Sequence, residues 1–354
     1  MNNSQEKKVI FLLNTEYGLL ISLLYYYEIL KKNDSVPIFV FLPSSPNRFK
    51  NISFEDLPGK HYIFKNQLNN WTFFPDNEFK NFSETQGISE IVVNNPIYFT
   101  SQIIVNRLNN SILKSKITLL ADSVGIDRNI SQSDLFLLTA KLYFRKFLNF
   151  YKKLPNKVIV YKNAGNTIDL LIAHRNIYDK QFINSNSLLS KTLLNKTSIS
   201  KIFKFDVELY NNVNILFFTQ PILNYSNINA ITKVNYIKTI ELLSFLALKY
   251  KKRVLLKLHP AELTLDYNKY VNEYLCIDKN PNIPAEIIIN AISNKNIISV
   301  NSSVSIFDIN KQNIHYWLYK AVSGKEPIIK EEYKNIKSIQ NLNEIEMIYN
   351  VNKS

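Results

Sequence analysis

Short apolar runs separated by helix-spaced stretches recur along most of this chain, and that alternation limits what it can fold into more than any other feature. Lys8-Val9-Ile10-Phe11-Leu12-Leu13 is followed by Leu, Ile and Tyr at helical spacing from Glu16 to Leu30, then by an apolar run from Val36 to Leu42. That order reads as a β-α-β unit. Further runs at His61 to Phe64, Glu90 to Val93 and Ile117 to Leu120, with helix-like stretches at Ser101 to Leu108 and Ser133 to Tyr151, argue for a parallel sheet covered by helices. From about 176 to 210 the pattern lapses into a segment rich in Asn, Ser and Lys. It resumes with Asn214 to Phe218, a long amphipathic helix from about Ala230 to Tyr250, runs at Arg253 to Leu256 and Asn296 to Val300, and helices starting at Pro284 and at Ser302-Ser303.

The expected fold class is therefore α/β, with two Rossmann-like domains facing across a central cleft at the carboxyl ends of their strands. Residues 1–175 form the first, 176–210 the linker and 211–330 the second, and 331–354 pack back on the first domain. The length of 354 residues suits two domains of roughly 150 to 200 residues each.

Several chemistries are excluded by what the chain lacks. Six scattered glycines form no GxGxxG and no Walker loop, so neither a dinucleotide dehydrogenase nor a P-loop NTPase is supported. No two aspartates are separated by one residue, and no cofactor or metal is expected. A single cysteine, Cys276, rules out an internal disulfide. With no 18-residue apolar run and no signal-peptide pattern, a cytoplasmic location is expected. The formal charge of +14 is spread along the chain and fits an anionic substrate, an anionic membrane surface or nucleic acid; abundant Asn, Lys, Ile and Tyr also give the bland reading of compositional drift.

The residues that stand out lie at or just after strand ends. His259 follows a buried run and precedes Pro260, which fixes the turn, while Lys257 lies two residues earlier on the same side of an extended chain. An imidazole beside a cation at a strand end suits a phosphate. Ser302 and Ser303 follow the next run and open a helix, where hydroxyls and free N–H groups also suit phosphate; plain N-capping is the structural alternative. Glu286, in NIPAEIIIN, falls in the first turn of its helix, placed to take both hydroxyls of a ribose. Asp122, in LLADSVG, ends a strand of the first domain and is placed to act as a general base. An Asx-turn is the alternative there.

Taken in order, Ala121-Asp122-Ser123, His259-Pro260 and Ser302-Ser303 resemble the motifs of the bacterial sialyltransferases of GT-B architecture, the group of lipooligosaccharide sialyltransferases and capsule polysialyltransferases. ILFFTQP (215–221) and IPAE (283–286) look like segments of the same enzymes. The likeness spans about 116 to 310. It departs from the family pattern at Ala121, where an acidic residue is usual, and at Ser123, where glycine is. The resemblance implies inverting, metal-independent transfer of a nonulosonic acid from its CMP conjugate to a hydroxyl of an oligosaccharide or glycolipid acceptor. In that reading Asp122 deprotonates the acceptor, His259 protonates or hydrogen-bonds the departing phosphate, and Ser302 and Ser303 hold its oxygens. Lys257 adds positive charge, Pro260 shapes the turn and Glu286 holds the ribose. The basic surface is then expected to make peripheral contact with the inner face of the cytoplasmic membrane, at about 1 kcal/mol per nearby basic residue.

Two rivals stand beside it. SSVSIFDI and the His-Pro pair also look like CDP-glycerol glycerophosphotransferases, and a CMP-Kdo transferase presents the same nucleotide. Nucleic-acid binding is not expected, because the aromatic residues fall mainly at core-like periodic positions and no RNP, zinc-finger or helix-turn-helix signature appears.

Overall fold

A computed structural model describes residues 7–43, 48–64, 88–94, 116–120, 182–183, 196–226, 228–300, 302–306, 308, 312–325 and 336–350. The stretches expected as helices at Ser101 to Leu108 and Ser133 to Tyr151, and Asp122, lie outside the described residues. The chain divides into two compact units, Met1–Phe203 and Lys204–Ser354.

In the first unit, β1 (Lys8–Leu13), β2 (Val36–Phe41), β3 (Lys60–Ile63), β4 (Ile88–Val93), β5 (Lys116–Leu120) and β6 (Phe182–Ile183) form one sheet in the order β3-β2-β1-β4-β5-β6. Every pairing is parallel. Helix α1 (Glu16–Tyr25) begins at Thr15, whose hydroxyl accepts the Gly18 N–H at 2.9 Å and so satisfies one of the amides a helix start leaves unpaired. The helical pattern expected to run to Leu30 does so, but as a π-helical turn over Tyr26–Leu30. A 3-10 turn at Lys31–Asn33 comes next, closed by Asp34 at φ 51°. Helix α2 (Lys196–Ile202) completes the unit, with the Ser53 N–H donating to the Ile202 carbonyl at 2.8 Å. Residues 176–210, read from the sequence as a linker, thus hold β6, α2 and the start of α3 (Glu208–Asn211), with the unit boundary among them.

The second unit repeats the plan. Strands β7 (Ile215–Phe218), β8 (Val254–Lys257), β9 (Leu275–Ile277), β10 (Asn296–Ser299), β11 (Ile314–Trp317) and β12 (Ile336–Ser338) lie in the order β12-β11-β10-β7-β8-β9, all parallel. Numbered from the start of each unit, both sheets read 3-2-1-4-5-6, the Rossmann order. Helix α4 (Ala230–Tyr250) is capped by Asn229, which accepts the Thr232 N–H at 2.8 Å, and is stopped by Lys251 in the left-handed region at φ 51°. Its inner face, with Tyr236, Ile240, Leu243, Leu246 and Ala247, packs on Ile215, Phe217, Val254 and Leu256. The shorter helices are α5 (Ala285–Ala291), α6 (Tyr319–Ser323) and α7 (Met347–Asn350).

The C-terminal segment was expected against the first domain, but its described part completes the second unit. β12 pairs with β11, Ile339, Ile345, Ile348 and Tyr349 enter that unit's core, and the Tyr349 hydroxyl donates to the Leu243 carbonyl at 3.0 Å. Apolar residues on a short terminal helix need a face to cover, and α4 supplies it.

Candidate active site at the strand ends of the second unit

In a 3-2-1-4-5-6 sheet the connections leave strands 1 and 4 in opposite directions, which opens a crevice beyond their carboxyl ends. Here that switch point lies between β7 and β10, with β8 on the far side of β7. The ends of β8 and β10 are therefore two strand spacings apart, roughly 10 Å. The parallel crossover from β9 to β10 runs α5 downward, which puts its first turn at the same edge. The sequence-expected residues His259, Glu286 and Ser302 all belong to segments that meet this edge.

β8 is followed by Leu258 and then by a tight turn over His259, Pro260, Ala261 and Glu262, closed by the Glu262 N–H donating to the His259 carbonyl at 2.9 Å. Proline at the second position of such a turn supplies the required φ. The backbone of His259 is fastened twice, its N–H reaching Thr219 Oγ1 at 3.0 Å and Glu262 Oε2 at 2.9 Å. The imidazole itself is exposed. Its Nδ1 accepts the Ala261 N–H at 3.2 Å, which assigns the hydrogen of the neutral ring to Nε2.

Beneath the turn, the Glu262 carboxylate also accepts the Thr219 and Tyr267 hydroxyls. Burial holds its pKa above the ordinary carboxylate value, and the Thr219, Tyr267 and His259 donors pull the other way. Tyr267 meets the Tyr236 hydroxyl at 3.2 Å, and that hydroxyl accepts the Gln220 N–H at 3.2 Å. Sequence reasoning missed this network, although Glu262 stands in KLHPAE and Thr219 immediately follows β7.

Lys257 is a correction to the sequence reading. A cation directed with His259 toward a ligand was expected; the side chain is instead 4% exposed, bonded to the Asn280 carbonyl and paired with Asp278 at 3.3 Å. Both faces of a parallel strand are covered, so its last residue is buried as well, and a buried ammonium requires a counter-charge. Asp278 in turn accepts the Tyr210 hydroxyl and the Asn280 N–H, each at 2.9 Å.

Glu286 sits in the first turn of α5, as the sequence led us to expect. Its carboxyl is buried, and desolvation lifts its pKa from 4.5 to about 7. The unfolded chain then ionises first as pH rises, while the folded chain keeps the proton. Stability is accordingly fully present below about pH 4.5, falls between 4.5 and 7, and is flat above, a loss of up to about 3 kcal/mol. Glu286→Gln should remove this slope, leaving the variant more stable than the native chain at pH 8 and matched to it near pH 4. Urea unfolding at the two pH values measures the difference.

Ser302 follows β10 and is half-buried, its hydroxyl accepting the Val304 N–H at 3.3 Å. A full helix was expected after it, but Ser303–Ile306 is one turn of 3-10 helix. Polar side chains fasten this turn and the residues after it: Trp317 Nε1 donates to Ser305 Oγ at 3.0 Å, and Asp308 Oδ2 meets Asn313 Nδ2 at 3.1 Å and His315 Nε2 at 3.0 Å. The Ser303 side chain and Asp122 lie outside the described residues. Among the described residues no three His, Cys, Asp or Glu side chains gather as a metal ion would require.

No protein-family profile matches the sequence, and no curated protein sequence matches it. Among solved structures, the wall teichoic acid polymerase TagF (H444N variant) is similar with a TM-score of 0.50 at 12% identity, over 98% of this chain and 80% of that one. The chain has the GT-B fold. A Photobacterium sp. JT-ISH-224 2,6-sialyltransferase in complex with CMP and lactose is similar at a TM-score of 0.49 and 11% identity, over 98% of this chain and 77% of that one. UDP-GlcNAc 2-epimerase from Neisseria meningitidis, bound to UDP-GlcNAc, is similar at 0.46 and 14%, over 97% and 90%.

In this GT-B chain the strand-end edge of the second unit therefore carries an exposed imidazole with a fastened backbone, a buried carboxyl poised near neutrality and a serine turn, the two loops flanking β7. The exposed ring, with its hydrogen on Nε2, can donate a hydrogen bond to an anion. Of the described residues expected at the site, Lys257 and Glu286 are both buried, Lys257 against the counter-charge of Asp278.

Proposed function

We propose that the protein is an inverting, metal-independent glycosyltransferase that moves sialic acid, or a related nonulosonic acid, from its CMP conjugate to a hydroxyl of a cell-surface glycan such as lipooligosaccharide or capsule. The observation that carries this reading is the His259-Pro260 turn at the end of β8, one strand from the switch point, with its backbone held and its ring at the surface. In the reaction the acceptor oxygen attacks the anomeric carbon, its proton passes to Asp122, and the bond from that carbon to the phosphate oxygen of CMP breaks with inversion. His259 Nε2–H donates to the departing phosphate, and Ser302 and Ser303 hold its other oxygens. Glu286 accepts both ribose hydroxyls, which favours its ionised form, so donor binding near pH 6.5 should release a proton. Lys257 acts from below, tying β8 to the loop after β9.

CDP-glycerol transfer is the second reading. It is supported by the SSVSIFDI segment beside the His-Pro pair, and the fold similarity to a wall teichoic acid polymerase is compatible with it. A donor series decides between them. Purified protein is supplied with CMP-sialic acid, CMP-Kdo or CDP-glycerol and a bacterial glycolipid acceptor, and product is followed by mass spectrometry. CMP release with gain of a nonulosonic acid supports the first reading; product from CDP-glycerol alone replaces it. Peripheral membrane contact belongs to the same proposal and is supported by the formal charge of +14; among the described residues no helix is long and apolar enough to cross a membrane. It is read by salt-sensitive sedimentation with anionic vesicles.

A further inference from the structure

The Glu262 carboxylate collects three donors from three places: the His259 N–H on its own turn, the Thr219 hydroxyl at the end of β7 and the Tyr267 hydroxyl. Tyr267 and Tyr236 are fully buried, and the chain continues through their hydroxyls to the Gln220 N–H. Buried polar chains of this kind specify one arrangement when every member is satisfied. This one joins the β8 turn, the residues after β7 and helix α4, so it sets the height and tilt of the turn relative to the crevice. The ring of His259 is then oriented from the turn itself, through the Ala261 N–H at Nδ1.

We infer that Glu262 is a positioning residue for His259: its carboxylate fixes the His-Pro turn against the end of β7 and thereby keeps the ring as the Nε2–H donor at the strand-end edge. The inference rests on the reading of His259 as the group that meets the leaving phosphate, but its geometric content stands apart from the identity of the donor. Glu262 touches no reacting atom. Its effect runs through the His259 backbone.

A carboxylate offers acceptors alone, whereas an amide offers one acceptor oxygen and an NH2. In Glu262→Gln the oxygen can still take the His259 and Thr219 donors while the NH2 faces Tyr267, whose hydrogen turns to Tyr236. The clamp on His259 and Thr219 survives; the reversed relay takes from the buried Tyr236 hydrogen its Tyr267 acceptor, since Gln220 meets that hydroxyl with an N–H, so some stability is lost while the turn is kept. In Glu262→Ala both are lost. Misplacement of a reacting group by about 1 Å can cost on the order of 10²-fold, so Glu262→Ala should lower kcat roughly 10- to 100-fold with donor KM little changed, and Glu262→Gln should recover most of it.

The decisive readout is the pair of His259 ring-nitrogen chemical shifts, taken by 15N NMR on histidine-labelled full chain and assigned by their loss in His259→Ala; four histidines keep the spectrum readable. The native chain and Glu262→Gln should hold the Nε2–H form, and Glu262→Ala should give averaged shifts. Should Glu262→Ala not fold, Tyr267→Phe removes one donor and should shift the same resonances partway. Glu262→Ala with native ring shifts and native kcat would overturn the inference, as would Glu262→Gln as damaged as Glu262→Ala. If the native chain turns over no CMP or CDP donor, the proposed function falls, while the ring shifts still decide whether Glu262 sets the His259 ring.

Discussion

His259→Ala is expected to lower turnover by about 10²–10³-fold, roughly 3–4 kcal/mol of barrier, while the thermal unfolding temperature moves little. The asymmetry comes from where the residue sits. Its backbone N–H holds the turn through Thr219 and Glu262, and alanine keeps that N–H. What alanine removes is an exposed ring that accepts the Ala261 N–H at Nδ1. An exposed side chain at a surface turn contributes little to folding, so a large kinetic loss would place its role in the reaction. Steady-state rates together with differential scanning calorimetry on the same preparation make the comparison. Equal losses in both would return the ring to a structural role.

Lys257→Met should do the opposite, costing about 3–5 kcal/mol of folding stability at pH 7. Methionine keeps most of the aliphatic volume, so the loss comes from charge. Without the ammonium, Asp278, whose side chain is 5% exposed, is left as a buried carboxylate with Tyr210 and the Asn280 N–H for support. Lys257→Met combined with Asp278→Asn should recover much of the loss, because the stranded charge is gone. Urea unfolding of the two variants gives the numbers. A Lys257→Met protein that keeps native stability yet no longer responds to nucleotide would reverse the assignment and make Lys257 a ligand of the donor.

These two variants mark what could be read from the chain and what could not. The parallel sheets were legible because strands covered on both faces are continuous apolar runs, and runs such as ILFF and VLLK have no other easy reading. The placing of His259 and Ser302 near strand ends came directly from this, since each stands just after such a run, whereas Glu286 was placed by the start of its helix at Pro284. Strands β9 and β12 were not legible: three residues each, Leu275–Ile277 and Ile336–Ser338, are too short to show a period. β11 was hidden differently, by His315 in its middle, which the fold makes acceptable by giving it Asp308.

Local sequence rules also misjudged direction. Two-residue alternation put Lys257 with His259, but the chain turns at Pro260, and the partner that draws Lys257 inward lies beyond β9. The same limit hid the Glu262 network, whose members Thr219, Tyr236 and Tyr267 become neighbours through sheet order and helix packing. Serine before an apolar stretch correctly signalled a helical start at Ser302. It carried no information on length, and Ser305 and Asp308 are held instead by Trp317 and by Asn313 and His315.

The measurement closest to the central claim is a thermal-shift titration of the native chain and His259→Ala with CMP, CDP, UMP and UDP. A nucleotide at 100 times its dissociation constant adds about 2.7 kcal/mol to folding stability, enough to rank the four. CMP should stabilise the native chain most, and His259→Ala should respond weakly to it. Stabilisation by UMP or UDP above CMP, or no response to any of the four, would contradict the proposed CMP-sugar site.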